Sequence, residues 1–152
     1  MSDIFPRTTV GGVSLSRMII GTNWLLGWSH TGAAADSLIR NRNDSAAAMV
    51  PLLETFLHAG IDTIMGPFAG QDRLLTAIKM AEDRTGRRLI LVDTPVINVC
   101  DTDEARQEAA ETIANSRKLG ATFCLPHHSS VEQLVNKNTQ TIDLLPDYLK
   151  IV

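Results

Sequence analysis

Four short apolar segments recur along this chain, and each runs into polar or turn residues at its far end. They occupy residues 18–23, 61–67, 89–95 and 122–128, and helix-like sequence separates them. An alternation of strand and helix indicates a parallel sheet, so the sequence predicts an α/β fold. Active sites of such sheets gather at the carboxyl ends of the strands, which is where the polar residues of all four segments fall.

The number of strand–helix units narrows the architecture. Four of them make half of a (β/α)8 TIM barrel, a fold that typically needs about 250 residues, and this chain has 152. Residues 8–15 carry two β-prone arms around Gly11-Gly12, which predicts a hairpin within residues 1–16. We therefore expect a single domain, 1–152, with a hairpin followed by the first four βα units over residues 17–152.

Apolar periodicity places the helices. Residues 49–57 predict a helix whose regular part begins at Pro51 and ends at Gly60. Further helices are predicted over residues 33–39, over 74–81 with closure by Gly86, and over 105–119 with a start near Asp101. A last apolar helical face is formed by Leu144, Leu145, Tyr148, Leu149 and Val152. It reaches the final residue without a cap, which predicts a chain that ends within a helix.

Composition argues against several partners. The net charge is −3 and the basic residues are scattered, so neither nucleic acid nor an anionic membrane surface is an expected partner. A membrane-spanning helix needs about 20 consecutive apolar residues, and no apolar run approaches that length. No secretory signal is visible. Cys100 and Cys124 have no metal-binding spacing, and two reduced thiols are typical of a cytoplasmic protein.

Two stretches resemble a known family. "GGVSLSRMIIGT" at residues 11–22 and "AGIDT" at 59–63 resemble the amino-terminal half of aldo-keto reductases, which are (β/α)8 enzymes with a nicotinamide cofactor. The resemblance implies that Asp62 matches the catalytic aspartate of that family, and that His127 or His128 matches its histidine. The whole chain also resembles the front half of a group of bacterial barrel proteins of ordinary full length.

The reductase chemistry does not carry over with the resemblance. Phe68 stands where the family has its catalytic tyrosine, and Thr94-Pro95 stand near its lysine position. The family's NADP-binding residues lie in its second half. NAD(P) is therefore a less favoured cofactor than a divalent metal, and a divergent reductase is the third of three interpretations.

His127 and His128 are the strongest catalytic candidates. Adjacent residues of a strand face opposite ways, so only one of them is able to point into the barrel mouth. There it would serve as acid/base or as metal ligand, or else it is a loop histidine held by backbone hydrogen bonds. Asp93 is the predicted third catalytic residue, either orienting a histidine or joining His127 around a metal. No tight HxH or HExxH motif supports the metal.

Five residues are predicted to bind substrate: Thr22, Asn23, Trp24, Gly66 and Thr94. Trp24, with Trp28 and His30 on the same loop, would wall a pocket or simply pin the loop. Asp62 lies early in its strand, and no partner for a buried carboxylate is evident in this half of a barrel.

The leading hypothesis is an enzyme that acts on a small polar metabolite through His/Asp acid–base or metal-assisted chemistry. The alternative from another class is a catalytically inactive half barrel. It would be a fragment or a self-associating subunit, a homodimer formed through the two exposed sheet edges.

Overall fold

The structure is a computed structural model that describes residues 5–142. Its strands are β1 (Arg7–Val10), β2 (Val13–Ser16), β3 (Ile20–Gly21), β4 (Thr63–Gly66), β5 (Ile90–Asp93), β6 (Phe123–Cys124), β7 (Val135–Asn136) and β8 (Thr141–Ile142). Its helices are α1 (Asn23–Leu26), α2 (Ala33–Arg42), α3 (Ala46–His58), α4 (Asp72–Thr85), α5 (Asp103–Lys118) and α6 (His128–Glu132).

The central sheet contains β3, β4, β5 and β6 in chain order, and every pairing in it is parallel. Two antiparallel hairpins, β1–β2 and β7–β8, accompany it. The predicted α/β class and the parallel sheet are confirmed, and all four predicted strands are present in shortened form. The half barrel stays a prediction.

One face of the sheet carries the hydrophobic core. Ile20, Ile64 and Leu91 are register partners on successive strands, so their side chains project to the same face. They are buried together with apolar residues of α3 and α4, among them Leu53, Leu57, Leu74 and Ile78. Full burial of one such side chain stabilises the fold by roughly 1.5–3 kcal/mol. The core therefore fixes α3 and α4 on one side of the sheet.

The amino-terminal hairpin forms as predicted. Gly11 and Gly12 have φ angles of 54° and 80°, the positive values that a tight two-residue turn requires. The second arm ends at Ser16, whose backbone N–H donates to Thr63 Oγ1 at 3.2 Å. Because Thr63 is the first residue of β4, the hairpin lies against the amino-terminal end of the sheet, also as predicted.

The prediction that Asp62 lacks a partner is wrong. Arg7 in the hairpin lies 2.9 Å from Asp62 Oδ2, measured from Nη2. Ser16 N and the Thr63 hydroxyl also contact Asp62 Oδ1, at 3.3 and 3.4 Å. The hairpin, which is remote from Asp62 in the chain, supplies an arginine.

Two predicted helix starts are corrected. α3 begins at Ala46, because the Ser45 hydroxyl accepts a hydrogen bond from the backbone N–H of Ala48. Pro51 consequently lies inside the helix rather than at its start. In the same way Thr102, rather than Asp101, caps α5 by accepting from the N–H of Ala105 at 3.1 Å.

The other predicted helices agree with the structure. α2 and α4 cover residues 33–39 and 74–81, and Gly86 ends α4 with a left-handed φ of 67°. Gly60, at the predicted end of α3, also has a positive φ, and so does Gly120 after α5. The sequence did not predict α1, α6 or the β7–β8 hairpin. The predicted last helix, residues 144–152, lies outside the described residues.

Candidate active site

A cavity of about 460 Å³ lies where the four parallel strands end. This volume is typical of small-molecule sites. Six of the eight residues predicted as catalytic or substrate-binding line it: Thr22, Asn23, Gly66, Thr94, His127 and His128. The remaining two, Asp93 and Trp24, do not. The lining also includes Trp28, His30 and the exposed apolar side chains of Met65 and Leu125.

Asp93 faces away from the cavity. It is in register with Gly66 and Cys124 and only 1% exposed, and its Oδ2 accepts a hydrogen bond from the Ser116 hydroxyl of α5 at 2.5 Å. Its Oδ1 accepts from the backbone N–H of Phe68 at 3.0 Å. This geometry differs from the prediction that Asp93 orients a histidine. The carboxylate ties the loop after β4 to α5, and Thr94 takes the place at the cavity.

Trp24 also points away. It lies on α1, a helical turn that the sequence did not reveal, and its side chain is 62% exposed. Each helical residue rotates by about 100° relative to the one before it, so Leu25 rather than Trp24 turns into the core. Trp28, which follows the helix, contributes the aromatic wall of the cavity.

His127 is oriented by Ser129. The Ser129 hydroxyl lies 2.7 Å from His127 Nδ1, and the Ser129 backbone N–H donates to the same nitrogen at 3.3 Å. A backbone N–H is only ever a donor, so Nδ1 is the accepting nitrogen and a neutral ring carries its proton on Nε2. Among residues 5–142, no hydrogen-bond partner occupies Nε2. His127 therefore presents an N–H donor at the cavity.

His128 stands beside it in a more exposed position. The two ring centroids are 4.1 Å apart and the planes are inclined by 44°. His128 Nε2 lies 4.0 Å from Oε1 of Glu132, one helical turn further along α6. This distance is too long for a hydrogen bond and both side chains are largely exposed, so Glu132 does not fix the tautomer of His128. The neutral ring has one accepting nitrogen in either tautomer. The contacts of Ser129 thus fix the tautomer of His127, whereas no described contact fixes that of His128. Both line the cavity because the chain leaves the sheet at Cys124 and turns into α6, so the strand alternation expected from the sequence does not extend to them.

Thr22 and Gly66 meet at the floor of the site. A Cβ on Gly66 would lie 1.8 Å from Thr22 Oγ1, so the contact requires glycine. Thr22 is 2% exposed, and its hydroxyl oxygen is buried without a hydrogen-bond partner among the described residues. A buried hydroxyl in that state costs roughly 1–3 kcal/mol.

The loop after α1 brings a third histidine to the cavity. Asn23 Nδ2 lies 2.8 Å from His30 Nε2. The preceding residue, Ser29, donates from its hydroxyl and its backbone N–H to Asp36 Oδ1 at 2.6 and 2.7 Å. These two hydrogen bonds hold the pKa of the Asp36 carboxyl below its ordinary value. The sequence suggested His30 only as a pocket wall, because nothing local indicated that the loop folds back to Asn23.

The geometry does not assemble the predicted metal pair. Among residues 5–142, no three His, Cys, Asp or Glu side chains lie close enough to hold a metal ion, and Asp93 and His127 face different surroundings. In the turn 66–70, which precedes α4, the N–H of Phe68 is already bonded to Asp93 and is not available to an anion. No Lys, Arg, Asp or Glu lines the cavity within the described chain. Its polar character therefore comes from imidazole, amide and hydroxyl groups.

Comparison with known proteins adds no assignment: no family model, curated protein or solved structure matches the chain. Within residues 5–142, none of the helices has the length and apolar character needed to cross a membrane.

Proposed function

We propose that this protein is an enzyme of the (β/α) barrel type that transfers a proton next to the carbonyl group of a small polar metabolite. The observation that carries the proposal is the His127–His128 pair at the cavity. The contacts of Ser129 leave the neutral His127 ring an N–H donor, and the neutral His128 ring has one accepting nitrogen in either tautomer. Its position at the carboxyl ends of parallel strands is where barrel enzymes bind and convert their substrates.

His127 would polarise the substrate carbonyl. Its Nε2–H, fixed by the contacts of Ser129 with Nδ1, is suited to bind an oxygen on which negative charge develops as a neighbouring C–H proton leaves. A preorganised donor of this kind contributes about 10²–10³ in rate. Ser129 takes the orienting role that the sequence suggested for Asp93.

His128 would move the proton. The accepting nitrogen of its neutral ring would take the proton from carbon and return it to the product. General acid–base catalysis by a positioned side chain contributes about 10²–10⁴ in rate. The proton and the electron pair both stay within the substrate and the two rings, so the reaction needs no external oxidant or reductant.

The reductase interpretation gains less support. Asp62, which matches that family's catalytic aspartate, forms its ion pair with Arg7 at the opposite end of β4. At about 3.3 Å per residue, it lies roughly 10 Å before Met65, where the cavity lining begins on that strand. A fluorescence titration with NADPH tests this interpretation, and saturable binding would revive it.

Deuterium wash-in tests the proposed reaction across a range of candidate substrates. The protein is incubated in D2O with a panel of small hydroxy-aldehydes, ketoses and keto acids, and loss of the proton next to the carbonyl is followed by NMR. We expect at least one compound to exchange, and the double variant His127→Ala/His128→Ala to abolish the exchange. His58→Ala, at the exposed end of α3, is the matched control. Wild-type exchange in a double variant with native near-UV circular dichroism would contradict the proposal.

Glutamine variants separate the two roles. His127→Gln keeps an N–H donor and should retain part of the activity, whereas His128→Gln has no basic nitrogen and should lose it. Equal losses in both variants would contradict the division of roles.

A second candidate function is self-association as a half barrel. It is supported by the open sides of the sheet: β3 and β6 each pair along one edge only within the described chain, and Met18, Ile19 and Met65 are 49%, 43% and 36% exposed. Two copies related by a twofold axis would pair β3 with β6 twice and close eight strands. Light scattering on a sizing column distinguishes the cases. A discrete dimer with a cooperative melt supports closure, and a monodisperse monomer argues against it.

A further inference from the structure

His30 occupies a backbone conformation that histidine rarely adopts. Its φ is +59°, in the left-handed region that costs a side-chain-bearing residue roughly 1–2 kcal/mol. Non-glycine residues are held there only when their surroundings impose it, and they cluster at functional sites. His30 also lines the same cavity as His127. The residue with the strained backbone is therefore also the one whose ionisable side chain lines the cavity.

The loop is held on both sides of His30. Ser29 is 6% exposed and donates twice to Asp36 of α2. Thr31 donates from its backbone N–H and its hydroxyl to Ser29 Oγ, at 3.1 and 2.9 Å. These contacts hold the loop on both sides of His30 and offset the strain.

The ring of His30 is oriented as well. An amide nitrogen only donates, so Asn23 Nδ2 at 2.8 Å makes His30 Nε2 an acceptor. The neutral ring then carries its proton on Nδ1, the opposite tautomer to that of His127. Both histidines use one nitrogen to accept from a neighbour and keep the other as an N–H donor.

We infer that His30 is a second substrate-binding residue, and that the substrate presents a carboxylate or phosphate oxygen to it while His127 binds the carbonyl oxygen. The inference rests on the proposed function and names the second polar group of the same substrate. His30 lines the cavity, and a hydrogen bond from its Nδ1–H to an ionised oxygen is roughly twice as strong as one to a neutral oxygen, which favours a carboxylate or phosphate there. Asn23 is the positioning residue that fixes the tautomer of His30.

The tautomers are testable in the ligand-free protein. Long-range ¹H–¹⁵N NMR of the histidine rings should show His30 protonated on Nδ1 and His127 on Nε2. Asn23→Asp places a carboxylate acceptor opposite His30 and should move its proton to Nε2, whereas Asn41→Asp, on the exposed surface of α2, should leave it unchanged. A wild-type His30 protonated on Nε2 would overturn the inference.

Probe binding tests the ligand class. Sodium acetate and inorganic phosphate are titrated separately, and the shifts of the His30 and His127 rings are followed. We expect at least one probe to shift the His30 ring saturably. His30→Gly should weaken its binding by about 3–10-fold, the value of one hydrogen bond, and His58→Ala should not. A stronger response to phosphate than to acetate identifies a phosphoryl substrate, and the reverse a carboxylate.

His30→Gly should also keep the native fold. Glycine adopts φ +59° without strain, so this variant should fold with native circular dichroism while it loses probe affinity. If neither probe shifts His30, or if His30→Gly binds as wild type, the inference fails. Deuterium wash-in by the same protein would then show that the proposed function stands without it.

Discussion

The two ends of the parallel sheet each bury a threonine, and the hydrogen bonding of the two hydroxyl groups differs. Thr63, at the amino end of β4, is fully buried, and its hydroxyl accepts from Ser16 N and donates to Asp62. Thr22, just beyond the carboxyl end of β3, is equally buried, and its hydroxyl oxygen has no partner within the described chain. One end satisfies its polar groups and the other leaves one unsatisfied.

The same contrast extends beyond the threonines. At the amino end, Arg7 of the hairpin pairs with Asp62, and the hairpin covers that end of the sheet. At the carboxyl end, a cavity remains open, the loop of residues 28–32 contains a strained His30, and His127 and His128 lie side by side. In barrel folds, residues at the amino face serve stability and those at the carboxyl face serve catalysis. The distribution of satisfied and unsatisfied groups is the one that the proposed barrel class would have.

The largest expected effect comes from Gly66→Ala. The added methyl group would overlap Thr22, and overpacking of this kind costs about 1–3 kcal/mol or more. Gly21→Ala is the matched control, since a Cβ there meets nothing within 4 Å. Urea unfolding should show a loss of about 3 kcal/mol for Gly66→Ala and a small change for Gly21→Ala. Equal values would show that Thr22 does not restrict this end of the sheet.

Valine substitutions at the two threonines should affect the free energy of unfolding differently. Thr63→Val removes a bonded hydroxyl and should lower the free energy of unfolding by about 1 kcal/mol. Thr22→Val removes an unpartnered one at nearly the same shape, and should leave that free energy unchanged or raise it by up to about 1 kcal/mol. Thermal melts of both variants check the prediction. A loss of stability in Thr22→Val would mean that its hydroxyl has a partner, and the contrast between the ends would disappear.

Arg7→Ala tests the amino end of the sheet separately from the cavity. The ion pair with Asp62 is partly exposed, so its loss should cost about 1 kcal/mol or less in urea unfolding. Lys79→Ala, in the more exposed pair with Asp83, is the control and should cost less. Probe binding at the His30 and His127 rings should be unchanged in Arg7→Ala. A change there would show that the two ends are coupled.

The smallest effect is a pH dependence of the loop that contains His30. The pKa of Asp36 is lowered in the folded protein by the hydrogen bonds from Ser29, so the resulting stabilisation is complete above the ordinary value of 3.8. It is lost as the pH falls below 3.8 through the folded pKa. The Ser29 amide resonance in NMR should follow that transition and lose it in Asp36→Asn. An Asp36→Asn variant with a wild-type acid transition would contradict this assignment.

Much of the fold follows from local sequence signals. The alternation of apolar strands and periodic helices predicted the parallel sheet. Gly11-Gly12 predicted the hairpin turn, and Gly60 and Gly86 marked the helix ends. Each signal depends on backbone sterics and side-chain spacing within a few residues, so each is readable without the tertiary structure.

The site was predictable in location but not in detail. Polar residues after the strands indicated the cavity, and most of the predicted residues line it. The sequence could not show which of Asp93 and Thr94 faces the cavity, because a shift of one residue in strand phase exchanges the two faces of a sheet. Likewise, the local sequence does not reveal that Trp24 starts a helical turn, or that Ser129 reaches back to His127.

The α/β class, the order of strands and helices, and the edge of the sheet where polar groups gather all follow from the sequence alone. The folded chain was needed to show that Arg7 pairs with Asp62, that Thr22 packs on Gly66, and that His30 joins His127 at one cavity. These contacts join residues far apart in the chain. Their geometry depends on the twist and register of the whole sheet, which no local pattern encodes.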